Sequence, residues 1–192
     1  MIYTISSYLA LLLVREQIIL EEDRRTYEYG FEITIANFIN ALIIIFIGLC
    51  LHSIKEAILF YMVFVSLRYF CGGYHADSYI KCFLSFALTS AICLGISTWF
   101  VWIQKGLWIM FWAVTAGLGG CIWKKAPIEN ENRPITSEER RIFRKRSIQV
   151  YCFWTSVGII LWMADQRKLI ATLISTFIAI SILMFCKEGG RT

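Results

Sequence analysis

Long stretches without a charged residue constrain the fold of this chain more than any other feature of its sequence. Five runs lack Asp, Glu, Lys and Arg altogether: Thr34–Leu51, Phe83–Ile103, Gly106–Trp123, Ser147–Ala164 and Leu169–Cys186. Each is long enough to cross a hydrocarbon core of about 30 Å as an α-helix. Because a soluble chain of this size exposes too much surface to hide so many apolar residues, the pattern predicts an integral membrane protein.

The charged residues gather in clusters between these runs. Of the 192 residues 17% are charged, against about 25% in an average soluble domain. A sixth apolar run, Ala57–Leu67, is bounded by Glu56 and Arg68 and spans only if it recruits flanking residues; the alternative is a re-entrant or tilted segment. We therefore expect an all-α bundle of about six membrane-embedded segments, forming a single domain over residues 1–192.

The first 30 residues predict a different kind of helix. Apolar residues recur at helical spacing from Ile5 to Leu20, and residues 15–28 are densely charged. This pattern favours an amphipathic helix in the membrane interface, with a cytosolic arm packed on the bundle as the alternative. Because Lys and Arg are absent before Arg15 and no small-residue cleavage site follows the apolar stretch, we do not expect a cleavable signal peptide.

The distribution of Lys and Arg among the connections predicts how the chain is oriented in the membrane. The connection Lys124–Ser147 holds eight cations, which assigns residues 124–147 to the cytoplasm. With six spans, both termini and a turn at residues 68–82 also lie inside, and 15 of the 19 Lys and Arg residues then face the cytoplasm. The basic connection is thereby explained as a topology determinant near anionic lipid, and no nucleic-acid partner is expected.

The seven cysteines do not form a metal or disulfide pattern. They lack CxxC spacing, the chain has only two histidines, and most of the cysteines lie within apolar runs, where Cys behaves as a small hydrophobe. We expect no metal, no cofactor and no disulfide framework.

Residues 68–82, RYFCGGYHADSYIKC, concentrate the reactive side chains. Gly72 and Gly73 allow the backbone to leave helical geometry. Cys82 begins the next span, where helix N-terminal N–H groups and Lys81 favour a thiolate. His75 is the one side chain near Cys82 that is suited to proton transfer near neutral pH.

A Cys82–His75 dyad needs a bend in the chain. On a continuous helix two positions seven apart are separated by about 10 Å along the axis, so His75 must lie in a non-helical turn. Asp77 or Ser78 could orient the imidazole, although the favoured role for either residue is to cap the following helix. The plain alternatives are an interfacial His75 and a Cys82 that only packs, and Cys71 is a rival nucleophile.

The basic connection has two parts. Pro127 and Pro134 flank a polar stretch that favours turns. Thr136 or Ser137 could then cap a short basic helix, Glu138–Arg146.

The pattern Arg68, Gly72-Gly73-Tyr74-His75-Ala76 and Cys82 resembles the signature of the accessory gene regulator B (AgrB) family, membrane-embedded cysteine peptidases of Gram-positive quorum sensing. Residues 126–135, APIENENRPI, look like a second feature of that family. The resemblance covers essentially the whole chain.

The resemblance implies that Cys82 and His75 are the catalytic pair. The substrate would be an AgrD-like pro-peptide with an amphipathic leader, a short central segment and a charged C-terminal tail. Cys82 would release the tail and hold the peptide as a thioester, and an internal thiol would then close a thiolactone ring. Family members are expected to act as homodimers, in contact with membrane lipids and without a cofactor.

Supporting roles follow from the same resemblance. Gly72 or Gly73 N–H groups, or Arg68, are candidates for stabilising the oxyanion, and Asp77 for supporting the pair; Arg68 could equally be a snorkelling anchor. Candidates for binding the substrate are Glu129, Arg133, Arg140, Arg141, Arg144, Lys145 and Arg146.

Two other classes of function compete with a peptidase. A small transporter or exporter of peptides or lipids should carry ionisable residues at mid-membrane depth, whereas here the apolar runs are nearly free of them. A noncatalytic scaffold that recruits a partner through its basic connection is the third possibility.

Overall fold

The computed structural model describes residues 2–72, 79–100, 106–128 and 136–185. Within these ranges the chain is helical apart from turns and one isolated bridge, which confirms the predicted all-α class. The described ranges contain seven helices, the first two separated by a short 3-10 turn, Glu21–Asp23: α1 (Ile2–Arg15), α2 (Arg24–Cys50), α3 (Ile54–Cys71), α4 (Tyr79–Phe100), α5 (Gly106–Lys125), α6 (Ser137–Met163) and α7 (Arg167–Phe185).

Four helical stretches in the described ranges are long and apolar enough to cross a membrane: Glu21–Cys50, Tyr79–Trp99, Gly106–Lys125 and Arg167–Met184. They coincide with four of the predicted spans, so a multi-pass membrane protein is supported. The helix predicted over residues 1–30 is interrupted, because α1 ends at Arg15 and α2 already begins at Arg24.

The other two predicted segments are helical, but the predicted count of six spans is not confirmed. α3 contains Lys55, Glu56 and Arg68 among its 18 residues. α6 has 27 residues and begins with its basic part, so it is about 40 Å long. Whether α3 and α6 cross the bilayer stays a prediction.

The chain divides into two compact units, residues 1–43 and 44–192, with α2 contributing to both. In the first unit α1 buries Ser6 and Ala10 and exposes Tyr3 and Tyr8. The Arg24 guanidinium lies 3.1 Å from the Glu21 carboxylate and 3.4 Å from the Ser7 hydroxyl. These contacts hold the turn between α1 and α2.

In the second unit α7 is the central helix and contacts α3, α4, α5 and α6. Its buried face contains Thr172, Ser175 and Thr176. Their hydroxyls donate to backbone carbonyls within α7, as in the 2.7 Å bond from Thr176 to Thr172. Back-bonding of this kind satisfies hydroxyl groups in an apolar environment, so α7 can pack on four helices without stranded polar groups.

α6 joins two segments that the sequence analysis separated. Thr136 caps it, because its hydroxyl accepts from the Glu139 N–H while the Glu139 carboxylate accepts from the Thr136 N–H. This arrangement is a capping box, and it selects Thr136 over Ser137. The predicted short helix Glu138–Arg146 was wrong at its C-terminal end, since no Gly or Pro stops it and the helix continues to Met163.

Candidate functional site

Cys82 lies in the first turn of α4, as the fourth residue of the helix that starts at Tyr79. Its side chain is half-buried. The first N–H groups of a helix have no partner within the helix and carry partial positive charge. The position therefore suits a nucleophilic sulfur, as the sequence indicated.

Arg68, in the last turn of α3, is charged and acts electrostatically on Cys82. Burial lowers the pKa of the Arg68 guanidinium, and the negative charge of a Cys82 thiolate partly offsets this effect. The Arg68 guanidinium also stacks on the Phe64 ring, 5.7 Å from the ring centroid, which restricts where the charge can lie. The end of α3 therefore carries a positive charge that Phe64 restrains and that acts on the start of α4.

Gly72 marks the point at which the chain leaves α3. Its φ of 71° lies in the left-handed region, which favours glycine. Its N–H donates to the Arg68 carbonyl at 3.0 Å. This bond would have to break for the Gly72 N–H to serve an oxyanion, the role that the family resemblance suggested.

Cys71, the rival nucleophile, is enclosed. It is 0% exposed, and burial raises the pKa of its thiol to about 11, an effect that the nearby Ser147 side chain of α6 only partly offsets. The Ser147 hydroxyl in turn donates to the Phe143 carbonyl at 2.9 Å. A substrate has no access to Cys71 in this arrangement, whereas Cys82 is partly open.

The basic part of α6 packs against the end of α3, which the sequence analysis did not foresee. The Phe143 ring lies 6.2 Å from the ring of Tyr69 and 6.1 Å from that of Phe70. An aromatic residue placed between arginines was the available signal, because a purely solvated basic face has no need of one.

Arg144 makes a second connection from α6. Its guanidinium donates to the Trp123 carbonyl at 2.8 Å and lies 5.6 Å from the Trp123 ring centroid. Since Trp123 is in the last turn of α5, this contact joins α6 to the end of α5. The ends of α3 and α5 and the start of α6 therefore meet, as expected for segments on one membrane face.

The described residues include only part of the predicted site. His75, Gly73, Asp77, Glu129 and Arg133 lie outside the described residues, and their roles stay predictions. The five basic candidates on α6 are all exposed: Arg140, Arg141, Arg144, Lys145 and Arg146. Among the described side chains no group of three or more His, Cys, Asp and Glu is arranged to hold a metal ion.

Fold and site together define a class: a multi-pass helical membrane protein with a cysteine at a helix N-terminus, beside an arginine and a glycine turn. A family model described as Accessory gene regulator B matches residues 6–186. The chain therefore belongs to the AgrB family, whose members take part in accessory gene regulator quorum sensing.

Two relatives come from Clostridium perfringens. AgrB-like protein 2 of strain 13 (type A) is 27% identical over 149 residues, which are 73% of this chain and 69% of the relative. The AgrB-like protein of strain SM101 (type A) is 27% identical over 150 residues, with the same coverage of both chains. No solved structure matches the chain.

Proposed function

We propose that this protein is a membrane cysteine endopeptidase that removes the C-terminal tail of an AgrD-like pro-peptide and promotes its cyclisation to a thiolactone. The observation that carries the proposal is the place of Cys82: half-buried in the first turn of α4, with the Arg68 guanidinium as its charged neighbour. Membership of the AgrB family supports the same substrate class.

The reaction has two acyl transfers. The Cys82 sulfur attacks the carbonyl at the junction with the tail, and His75 takes the thiol proton and passes it to the leaving amine. The C–N bond breaks as the C–S bond forms, so the tail leaves as a free amine. A thiol within the peptide then attacks the thioester, closes the ring and returns a proton to Cys82. One thioester replaces another, and the exchange needs no ATP.

The basic part of α6 is the proposed docking surface for the charged tail. Its exposed arginines and Lys145 lie on the helix whose Phe143 contacts the end of α3. Opposite charge increases the rate of encounter and fixes orientation more than it adds affinity. We further propose that the protein acts as a homodimer among membrane lipids, with its termini and Cys82 on the cytoplasmic side.

A transporter finds less support. Among the described residues Glu56 is the one buried charged residue, and it lies in the first turn of α3. Transport pathways place ionisable groups near mid-membrane depth, where the described helices bury Ser, Thr and Asn instead.

Purified protein in nanodiscs with a synthetic pro-peptide tests the peptidase proposal. Cys82→Ser and His75→Ala should each abolish tail release, and wild type should accumulate a hydroxylamine-sensitive adduct on Cys82. The matched control is Cys152→Ser, because Cys152 is exposed on α6 away from the proposed chemistry; it should cleave as wild type does. Tail release by Cys82→Ala would reject Cys82 as the nucleophile.

A further inference from the structure

Residues Ala126, Pro127 and Ile128, called the strap here, follow α5 and lie against the end of α3. The Ile128 N–H donates to the Cys71 carbonyl at 2.9 Å, and Gly72 and Ile128 form an isolated parallel bridge. Cys71 is the last residue of α3, where carbonyls lack partners within the helix. The strap thus supplies a hydrogen-bond donor that caps α3.

The strap is itself held in place. Ala126 and Pro127 are buried, and the Ala126 N–H donates to the Ile122 carbonyl at 3.0 Å, as a continuation of α5. Trp123 lies three residues before Ala126, and its carbonyl accepts a hydrogen bond from the Arg144 guanidinium of α6. The position of Ile128 is therefore fixed through both α5 and α6.

Contact between the strap and Gly72 leaves no room for a side chain. A Cβ atom on Gly72 would overlap the Ile128 carbonyl oxygen and lie 3.2 Å from the Ile128 backbone N and C atoms. Backbone atoms cannot move aside as the end of a flexible side chain can. The bridge therefore requires glycine here both for its φ and for the close approach of two backbones.

We propose that the strap positions the reaction site, with Ile128 acting as a positioning residue through its backbone. By capping α3 at Cys71 and Gly72, it fixes the turn of helix that carries Arg68, and so fixes the charge beside Cys82. The Gly72 N–H reaches the Arg68 carbonyl directly, so the cap and the charged residue belong to one hydrogen-bonded turn. The role of this charge in catalysis rests on the proposed function.

Four variants in nanodiscs separate backbone contact from side-chain contact. Gly72→Ala introduces the overlapping Cβ, and Ile128→Pro deletes the N–H donor. Ile128→Ala keeps the donor and shortens only the side chain. Gly120→Ala is the matched glycine control, because a Cβ there meets nothing within 4 Å.

Two readouts are needed. For tail release, Gly72→Ala and Ile128→Pro should lower kcat by about 100-fold, the loss that a misplacement of about 1 Å can cause, with KM unchanged. Without substrate, the ratio of Cys82 alkylation by iodoacetate to that by iodoacetamide reports the local positive charge. This ratio should fall roughly fivefold in both variants, the effect of separating a unit charge from its partner in water, while the ratio for free N-acetylcysteine added to the same sample stays constant.

Ile128→Ala and Gly120→Ala should match wild type in both readouts. If Gly72→Ala fails to fold, Ile128→Pro decides, with its thermal unfolding midpoint as the check on folding. A folded Ile128→Pro variant with the wild-type alkylation ratio overturns the proposal. So does an Ile128→Ala variant whose kcat and alkylation ratio fall as far as those of Ile128→Pro. If wild type releases no tail, the proposed function fails, whereas the alkylation ratio still tests the strap.

Discussion

At the scale of single residues, the site depends on which cysteine is open and which charge lies beside it. Cys71 and Cys82 lie on either side of the same turn of the chain, yet Cys71 is 0% exposed and burial raises the pKa of its thiol to about 11, whereas Cys82 is half-buried. Reactivity of a cysteine requires both access and a stabilised thiolate. Burial therefore argues against Cys71 as the nucleophile more strongly than its position in the sequence does.

Arg68→Gln should lower the iodoacetate-to-iodoacetamide ratio at Cys82 by roughly fivefold, because one unit charge near another in water is worth about 1 kcal/mol. Arg68→Lys keeps the charge and should retain most of the ratio. Site-resolved mass spectrometry measures both rates at Cys82, with free N-acetylcysteine in the same sample as the reference thiol. An unchanged ratio in Arg68→Gln would mean that Arg68 does not influence Cys82 and serves only as an anchor.

At the scale of helices, α6 connects the basic surface to the bundle. Its N-terminus carries the capping box, its third turn contacts α3 and α5, and its C-terminal half packs on α5 and α7. The Tyr151 hydroxyl donates to the Thr115 carbonyl at 2.9 Å, and the Trp154 indole donates to the Ser66 hydroxyl at 2.8 Å. These bonds fix the rotation of α6 and thereby the direction of its basic face.

Thr136→Ala should destabilise the first turn of α6 by about 1 kcal/mol, because it removes the cap. Amide hydrogen exchange of residues 137–141 should accelerate roughly fivefold, while residues 150–160 keep the wild-type rates. Ser137→Ala is the control, since Ser137 lies inside the helix. Equal acceleration in both variants would contradict the assignment of Thr136 as the cap.

Gly158→Ala should destabilise the bundle, because a Cβ there would lie 2.6 Å from Phe111 Cε2 and 2.7 Å from Leu173 Cδ2. Overpacking of this kind costs about 1–3 kcal/mol. The thermal unfolding midpoint in one detergent should therefore fall relative to wild type. Gly120→Ala, with open space around its Cβ, should leave the midpoint unchanged or raise it, and a fall as large as that of Gly158→Ala would refute close packing at Gly158.

At the scale of the whole molecule, the distribution of charge predicts which ends of the helices face the cytoplasm. Lys145→Cys and Lys168→Cys test this prediction together with the spanning of α6, since α6 and the following turn lie between them. In a background that lacks Cys50, Cys82 and Cys152, a membrane-impermeant maleimide should label position 145 only from the cytoplasmic side and position 168 only from outside. Labelling of both from one side would show that α6 does not cross.

Sequence patterns predicted the helices well and the assembly of the site only in part. The apolar runs corresponding to α2, α4, α5 and α7 were identified because lipid offers the backbone no partners, so a long uncharged run must become a helix. The position of Cys82 at a helix N-terminus could be predicted because the next apolar run begins directly after it. The continuity of α6 was missed, because its charged and apolar halves look like separate elements.

The sequence by itself determined a multi-pass helical membrane protein of the AgrB type, because apolar run length and motif spacing are local properties of the chain. Tertiary structure alone decided that Ile128 caps α3, that Arg68 acts electrostatically on Cys82 and that Cys71 is buried near Ser147. Each of these contacts joins segments from different helices or loops. The physical reason is that periodicity shows which residues share a helix face, whereas contacts between helices depend on how their shapes pack together.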